Sequence, residues 1–181
     1  MAGHSHWSGI KRKKELTDQK RGALFSKLAT AITAAAAFEP DPHFNPRLRS
    51  AIEKAREAQM PADNIERALS HATENNTQLQ ELIFEAYGPG GSALIIEITT
   101  DNRNRTVQQI KTILADHGGK WAEVGSVRWG FEPPTSTHPY WQAKFPLILT
   151  ETLFQNLCDL TEILYEHVDV QEVYTNALLH S

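Results

Sequence analysis

Cysteine is nearly absent from this 181-residue chain: Cys158 stands alone, so no internal disulfide can form. No run of about 18 apolar residues exists either, and residues 29–38, the most apolar stretch, are mostly alanine interrupted by Thr30 and Thr33, which argues against a membrane span. Residues 11–14 are basic, but the apolar core and small-residue cleavage site of a secretory signal do not follow, and Glu15 and Asp18 are out of place in a transit peptide. The expected compartment is the cytoplasm. The eight histidines are scattered without ligand spacing, no Ser/His/Asp set or zinc pattern occurs, and Cys158 has no activating neighbour in sequence. Tyr87-Gly-Pro-Gly-Gly91 lacks the Lys-Ser/Thr of a phosphate-binding loop and reads as a turn. No catalytic group, metal or cofactor is therefore expected.

What is present is a globular mixture, 40% hydrophobic and 22% charged, sufficient for one or two domains. The net charge of -4 conceals a polarity. Residues 1–56 carry eleven Lys and Arg against five Asp and Glu, or +6, whereas the remainder carries seven against seventeen, or -10. The partner of the first part is expected to be an anion.

Helical spacing of Leu24, Leu28, Ile32 and Ala35 predicts a helix over residues 19–38, broken by the proline-rich segment 39–46. Asn45-Pro46 reads as an N-cap with proline at the first helical position. A second helix should run to about Gln59 and a third from about Pro61, making a small bundle. The apolar period then shortens to two. Residues 82–87 and 93–98 read as a hairpin, Asp101-Asn102 as the start of a helix ended by Gly118-Gly119, and Ser126–Phe131 as a third strand. Residues 144–149 read as a short extended piece, Thr150 as the cap of a last helix, and Val168–Tyr174 as a final strand. The fold class is thus α + α+β: a basic helical domain, residues 1–79 with an N-terminal arm, followed by an α+β domain, residues 80–181, with a largely antiparallel sheet and two helices. On the last helix Phe154, Cys158 and Tyr165 form a second apolar flank that something must cover.

Met1-Ala-Gly-His-Ser-His-Trp7, Asn45-Pro-Arg-Leu-Arg49, Met60-Pro-Ala-Asp-Asn-Ile-Glu-Arg67, Tyr87-Gly-Pro-Gly-Gly91, Asp101-Asn-Arg-Asn-Arg-Thr106, Gly125-Ser-Val127 and Asp169-Val-Gln-Glu-Val-Tyr-Thr-Asn176 occur in that order. Together they resemble the YebC/PmpR family, which includes the mitochondrial translational activator of cytochrome c oxidase. The resemblance implies a helical first domain, an α+β second domain and a third domain inserted into the second. Here the chain passes from Phe131-Glu132 through a proline-rich connection to the last helix, so the inserted domain is expected to be missing between about 133 and 146. Ala34–Ala37, Trp121 and Trp129 depart from the family's usual pattern. Tyr140, Trp141 and Phe145, in that connection, are expected to pack over surface the missing domain would have shielded, the rival being a stacking or self-association patch.

The first candidate contact surface is Lys11, Arg12, Lys13 and Lys14 with Lys20, Arg21 and Lys27, mobile cations suited to phosphate, and Trp7, which can stack on a base. On the second helix Arg47 and Lys54 share one flank of the apolar stripe and Arg49 and Arg56 the other, so Arg47 and Arg49 are secondary candidates. Snorkelling and an Arg49–Glu53 pair are the bland alternative. Arg103 and Arg105 sit where a strand meets a helix N-terminus and can converge on an anion or pair with acidic neighbours. The expected function is non-enzymatic nucleic-acid binding in gene expression, with rRNA or mRNA on the ribosome or DNA as partner, and no membrane. A protein adaptor is the alternative from another class.

Overall fold

The computed structural model describes residues 18–74, 79–135 and 137–179. Helix α1 (Asp18–Ala36), α2 (Pro46–Glu57) and α3 (Ala62–Glu74) form the helical module. Its core is built from Ile32, Ala35 and Ala36 of α1, Leu48, Ile52 and Ala55 of α2, Met60, and Ile65 and Ala68 of α3. The small alanines of α1 let its partners approach closely. Asn45 fixes the α1–α2 corner: its side-chain oxygen accepts the Leu48 N–H at 3.0 Å, while its amide donates to the carbonyls of Ala35 at 2.9 Å and Glu39 at 2.7 Å. One buried side chain thus caps the start of α2 and satisfies carbonyls at the end of α1.

Strands β1 (Gln80–Tyr87) and β2 (Ala93–Thr100) pair antiparallel in continuous register from Gln80↔Thr100 to Tyr87↔Ala93. Their connection turns through Gly90 at φ 69°, where a Cβ would also stand 2.7 Å from Leu149 Cδ2. Helix α4 (Arg103–Asp116) leads to β3 (Lys120–Trp121); β4 (Phe131–Glu132), β5 (Gln142–Ala143) and β6 (Leu147–Leu149) follow, then α5 (Glu151–Glu166), β7 (Val170–Thr175) and β8 (Ala177–Leu179). The main sheet has the order β3-β1-β2-β7 and is antiparallel throughout. Alternation sends Phe84, Ala86, Leu94, Ile96 and Ile98 to one face, where Ile110 and Leu114 of α4 and Leu157, Leu160 and Leu164 of α5 cover them. Ile95 points to the other face, against Ala122, Val127 and Phe131 with Trp141 and Tyr174 beside them. No helix among the described residues is long and apolar enough to cross a membrane.

Two local expectations are corrected. Residues 126–131 do not form a strand: they make a turn and a short 3-10 segment, Arg128–Gly130, with only Phe131–Glu132 pairing to β5, and the strand beside β1 is Lys120–Trp121. The cause is the buried Glu85 carboxylate, which accepts the N–H groups of Gly125, Val127 and Arg128 at 2.7, 2.7 and 2.8 Å and so removes them from any ladder. Thr150 occupies the cap position of α5, but its side chain makes no capping bond.

Replacing Asn45 by Ala is expected to cost about 2 kcal/mol, because the helix cap and the donor to one buried and one half-buried carbonyl are lost together. Urea unfolding of the variant beside wild type checks this, and a loss below about 0.5 kcal/mol would contradict the corner's role.

Candidate nucleic-acid interface

The cations singled out in the sequence meet different fates. Trp7, Lys11, Arg12, Lys13 and Lys14 lie outside the described residues, as does the side chain of Lys20. Arg21, at the start of α1, is exposed and has no carboxylate partner among the described residues. Lys27 is buried, with its ammonium 5.5 Å from the centre of the Tyr165 ring on α5. The two flanks of α2 divide sharply. Arg47 pairs with Glu81 at 2.5 Å and Lys54 with Glu172 at 3.5 Å, so this flank is turned toward the acidic α+β module. Arg49 donates instead to the backbone carbonyls of Pro42 and His43, both at 3.2 Å, which orients the guanidinium without neutralising it. Arg56, on the same flank, is exposed and has no carboxylate partner among the described residues. The expected Arg49–Glu53 pair does not form among the described residues. An open groove of about 490 Å³ between α1 and α3 is lined by Phe25, Ala29, Met60, Asn64 and the exposed Arg67, among others. Arg56 and Arg67 were not singled out from the sequence, although the position of Arg56 beside Arg49 on one helical flank was visible there.

At the N-terminus of α4, Asn102 caps the helix by accepting the Arg105 N–H at 3.1 Å. Arg105 is not available to a ligand on the terms expected: its guanidinium donates to Asp169 at 2.9 Å and to Asp101 at 3.0 Å. Asp169 also accepts from the hydroxyls of Thr106 at 2.6 Å and Thr100 at 3.0 Å. Burial pushes the Asp169 carboxyl up, but hydrogen bonds from Thr106, Arg105 and Thr100 outweigh it and hold the group below its ordinary value. Arg103, by contrast, is exposed and has no carboxylate partner among the described residues. Of the two alternatives, pairing to acidic neighbours holds for Arg105, while Arg103 stays exposed.

Where the modules meet, Glu97 on β2 and Glu172 on β7 stand directly opposite in register. Their neighbours supply the compensation. Trp141 Nε1 donates to Glu97 at 3.0 Å, the Tyr165 hydroxyl donates to Glu172, and the Lys54 ammonium reaches Glu172. Burial raises the Glu97 carboxyl above its ordinary value, opposed by the Trp141 bond. The aromatics of the 133–146 connection therefore divide: Trp141 packs in the second core, against Ile95, Val127 and Phe131 on the sheet face opposite α5, while Tyr140 and Phe145 remain exposed. The second flank of α5 is met at Tyr165 by Lys27 and Glu172, not by those three aromatics. This carboxylate pair could not be seen in the sequence, because 75 residues separate its members.

The fold places a helical bundle beside an α+β sandwich, joined by ion pairs, and the arginines without a carboxylate partner among the described residues lie chiefly on the bundle. Residues 5–75 match the model described as "TACO1/YebC protein N-terminal domain", and residues 79–135 match "TACO1/YebC second and third domain". A "Probable transcriptional regulatory protein" of Chloroherpeton thalassium is 53% identical over 135 residues, 73% of this chain and 54% of that protein. One of the same description from Prochlorococcus marinus is 43% identical over 175 residues, 93% of this chain and 71% of its own length. The crystal structure of a conserved hypothetical protein, Aq1575 from Aquifex aeolicus, superposes with a TM-score of 0.86 at 32% identity, covering 98% of both chains. The chain belongs to the TACO1/YebC family, and it spans about half the length of the first curated relatives it matches.

Asp169→Asn is expected to destabilise by about 1–2 kcal/mol, a figure kept low because Arg105 remains partly in water. The wild-type contribution of Asp169 is complete above the ordinary aspartate range and is lost as pH falls through its lowered folded value. Acid unfolding series of the two proteins should therefore converge at low pH, and parallel curves would exclude the assignment. Trp141→Ala is expected to cost about 3 kcal/mol by thermal unfolding, since a large packed ring and the partner of a buried carboxylate leave together. An unchanged melting temperature would show that the ring is not packed as described.

Proposed function

We propose that this chain is a non-enzymatic, nucleic-acid-binding regulator of gene expression whose helical module grips a polyanion. The observation that carries the reading is the division of cations on the bundle. Arg47 and Lys54 are spent on the acidic module, whereas Arg21, Arg49, Arg56 and Arg67 are exposed without a carboxylate partner among the described residues. Guanidinium groups of this kind suit phosphate oxygens, which require charge and a fork of donors more than a fixed pocket. Arg103 adds a further exposed cation beside the Asn102-capped N-terminus of α4. The basic sequence from Lys11 to Lys14 extends the same character.

Within this class the favoured partner is RNA on the ribosome, supported by the likeness of the motifs to the translational activator of the family. Duplex DNA is the second reading, supported by the name "Probable transcriptional regulatory protein" borne by the relatives. The path from β4 to β5 takes only nine residues, 133–141. That supports reading the connection as standing in place of the family's inserted domain, so that any activity residing in that domain is not proposed here.

If about four to six phosphates are neutralised, the logarithm of affinity for single-stranded RNA should fall with the logarithm of salt at a slope of about -3 to -4. Changing Lys11, Arg12, Lys13 and Lys14 to Ala together should flatten that slope by nearly 3. Co-sedimentation with ribosomes across a salt series, beside duplex DNA binding, reads both quantities. A salt-independent interaction, or a partner retained in full by the quadruple variant, would replace this reading with that of a protein adaptor.

A further inference from the structure

Away from the bundle, the loop organised by Glu85 carries a feature that phosphate binding does not explain. Trp129 and Phe145 are 66% and 58% exposed, yet they touch each other, with ring centres 5.6 Å apart and planes tilted by 47°. Large rings left this open on a water-facing loop are the informative exception to burial. Trp129 is moreover not loosely placed. Its indole N–H donates to the Ser126 carbonyl at 2.9 Å, and the Tyr87 hydroxyl donates to the same carbonyl at 3.2 Å. Three partly exposed rings, Tyr87, Trp129 and Phe145, are thereby tied into one ridge.

The backbone beneath the ridge is held on both sides. Glu85, 2% exposed, receives the loop N–H groups of Gly125, Val127 and Arg128, and the Arg128 guanidinium lies 3.7 Å away. Those donors and that guanidinium compensate its charge inside the loop. Two lysines accompany the rings: Lys144 Nζ reaches the Trp129 carbonyl at 3.4 Å, and Lys120 stands opposite Tyr87 in the β1–β3 register. Glu123 and Glu132 lie in the same stretch of chain, so little net charge remains. Long-range Coulomb attraction is weak here, so ring faces must carry most of any contact, with the two lysines adding to it locally.

We infer that Tyr87, Trp129 and Phe145 form a stacking platform for unpaired bases of a single-stranded nucleic acid, with Lys120 and Lys144 placed to meet the adjoining phosphates. This rests on the nucleic-acid reading above and extends it to a second surface with a different physical basis. Stacking on an aromatic face tolerates any base and is worth about a factor of ten or more in affinity for each ring engaged. Paired bases, already stacked in a duplex, gain nothing from it. The platform therefore selects single strands over duplexes, whereas the arginines of the bundle do not.

The test is a titration of a labelled uridine oligomer, roughly a dozen nucleotides long to span both modules, against wild type, Trp129→Ala and Trp129→Phe, at low and high salt. Trp129→Ala should weaken binding about tenfold at both salt concentrations, Trp129→Phe should restore most of the loss, and affinity for duplex DNA should be unchanged by either. Because Trp129 is largely exposed, the melting temperature of the alanine variant should stay near wild type; Phe145→Ala, run in parallel, keeps the test decisive if it does not. Equal oligomer binding by wild type and both alanine variants overturns the platform while leaving the bundle's role standing. A change confined to sedimentation, from dimer to monomer, overturns it in favour of a self-association patch. If wild type binds no nucleic acid at any salt, the function proposed for the bundle falls, and the platform with it.

Discussion

Glu97 and Glu172 face each other across adjacent strands, an arrangement that costs stability unless something intervenes. In this protein the intervention comes from three different parts of the chain. Trp141 arrives from the connection between β4 and β5, Tyr165 from the last turns of α5, and Lys54 from α2 of the bundle. Each donates a hydrogen bond or a positive charge to a carboxylate that would otherwise be buried beside its like. The compensation is therefore also the joint: the groups that make the pair tolerable are those that attach the bundle and the connection to the sheet. Lys27 over the Tyr165 ring and Arg47 on Glu81 reinforce the same seam.

That joint decides which cations are left over. A helix with basic residues on both flanks can present one flank to an acidic neighbour and keep the other for solvent, and α2 does so, with Arg47 and Lys54 paired to Glu81 and Glu172 and Arg49 and Arg56 on the far flank. The charge polarity of the chain thus has two consequences. Part of it is consumed in holding the modules together, which the summed charge of residues 1–56 conceals. The rest stays uncompensated, and the Arg49 contacts with the Pro42 and His43 carbonyls show how a guanidinium can be oriented without losing its charge.

What could be read from the sequence follows the range of the forces involved. The helices, the β1–β2 hairpin and the caps at Asn45 and Asn102 rest on periodicity and on contacts three or four residues apart, and these were legible. Residues 126–131 were misjudged because their apolar alternation looked strand-like, while the group that folds them, the Glu85 carboxylate, lies forty residues earlier. Arg105 shows the same limit. Its neighbour Asp101 was in view, but Asp169, 64 residues distant, is what ties it to the buried threonines of β2 and α4. Arg47 and Lys54 likewise gave no local sign of Glu81 and Glu172. A basic residue in a sequence declares its charge but not whether the fold will spend it.

The exposed arginines of the bundle and the ridge of exposed rings are two surfaces on one connected set of elements. The seam at Glu97 and Glu172 fixes the bundle to the sheet, and the Glu85 loop fixes the ridge of rings to the opposite end of β1 from Glu81, where Arg47 is anchored. A flexible strand that touched both would bind the second at a high effective concentration set by the length of strand between them. Such a gain requires that neither surface drift relative to the other, and the side chains that oppose drift are the buried Glu85 and the half-buried Glu97 and Glu172 with their donors. The acidic residues of the second module thus act from within, as the points against which exposed arginines and rings are positioned, and not as surface charge.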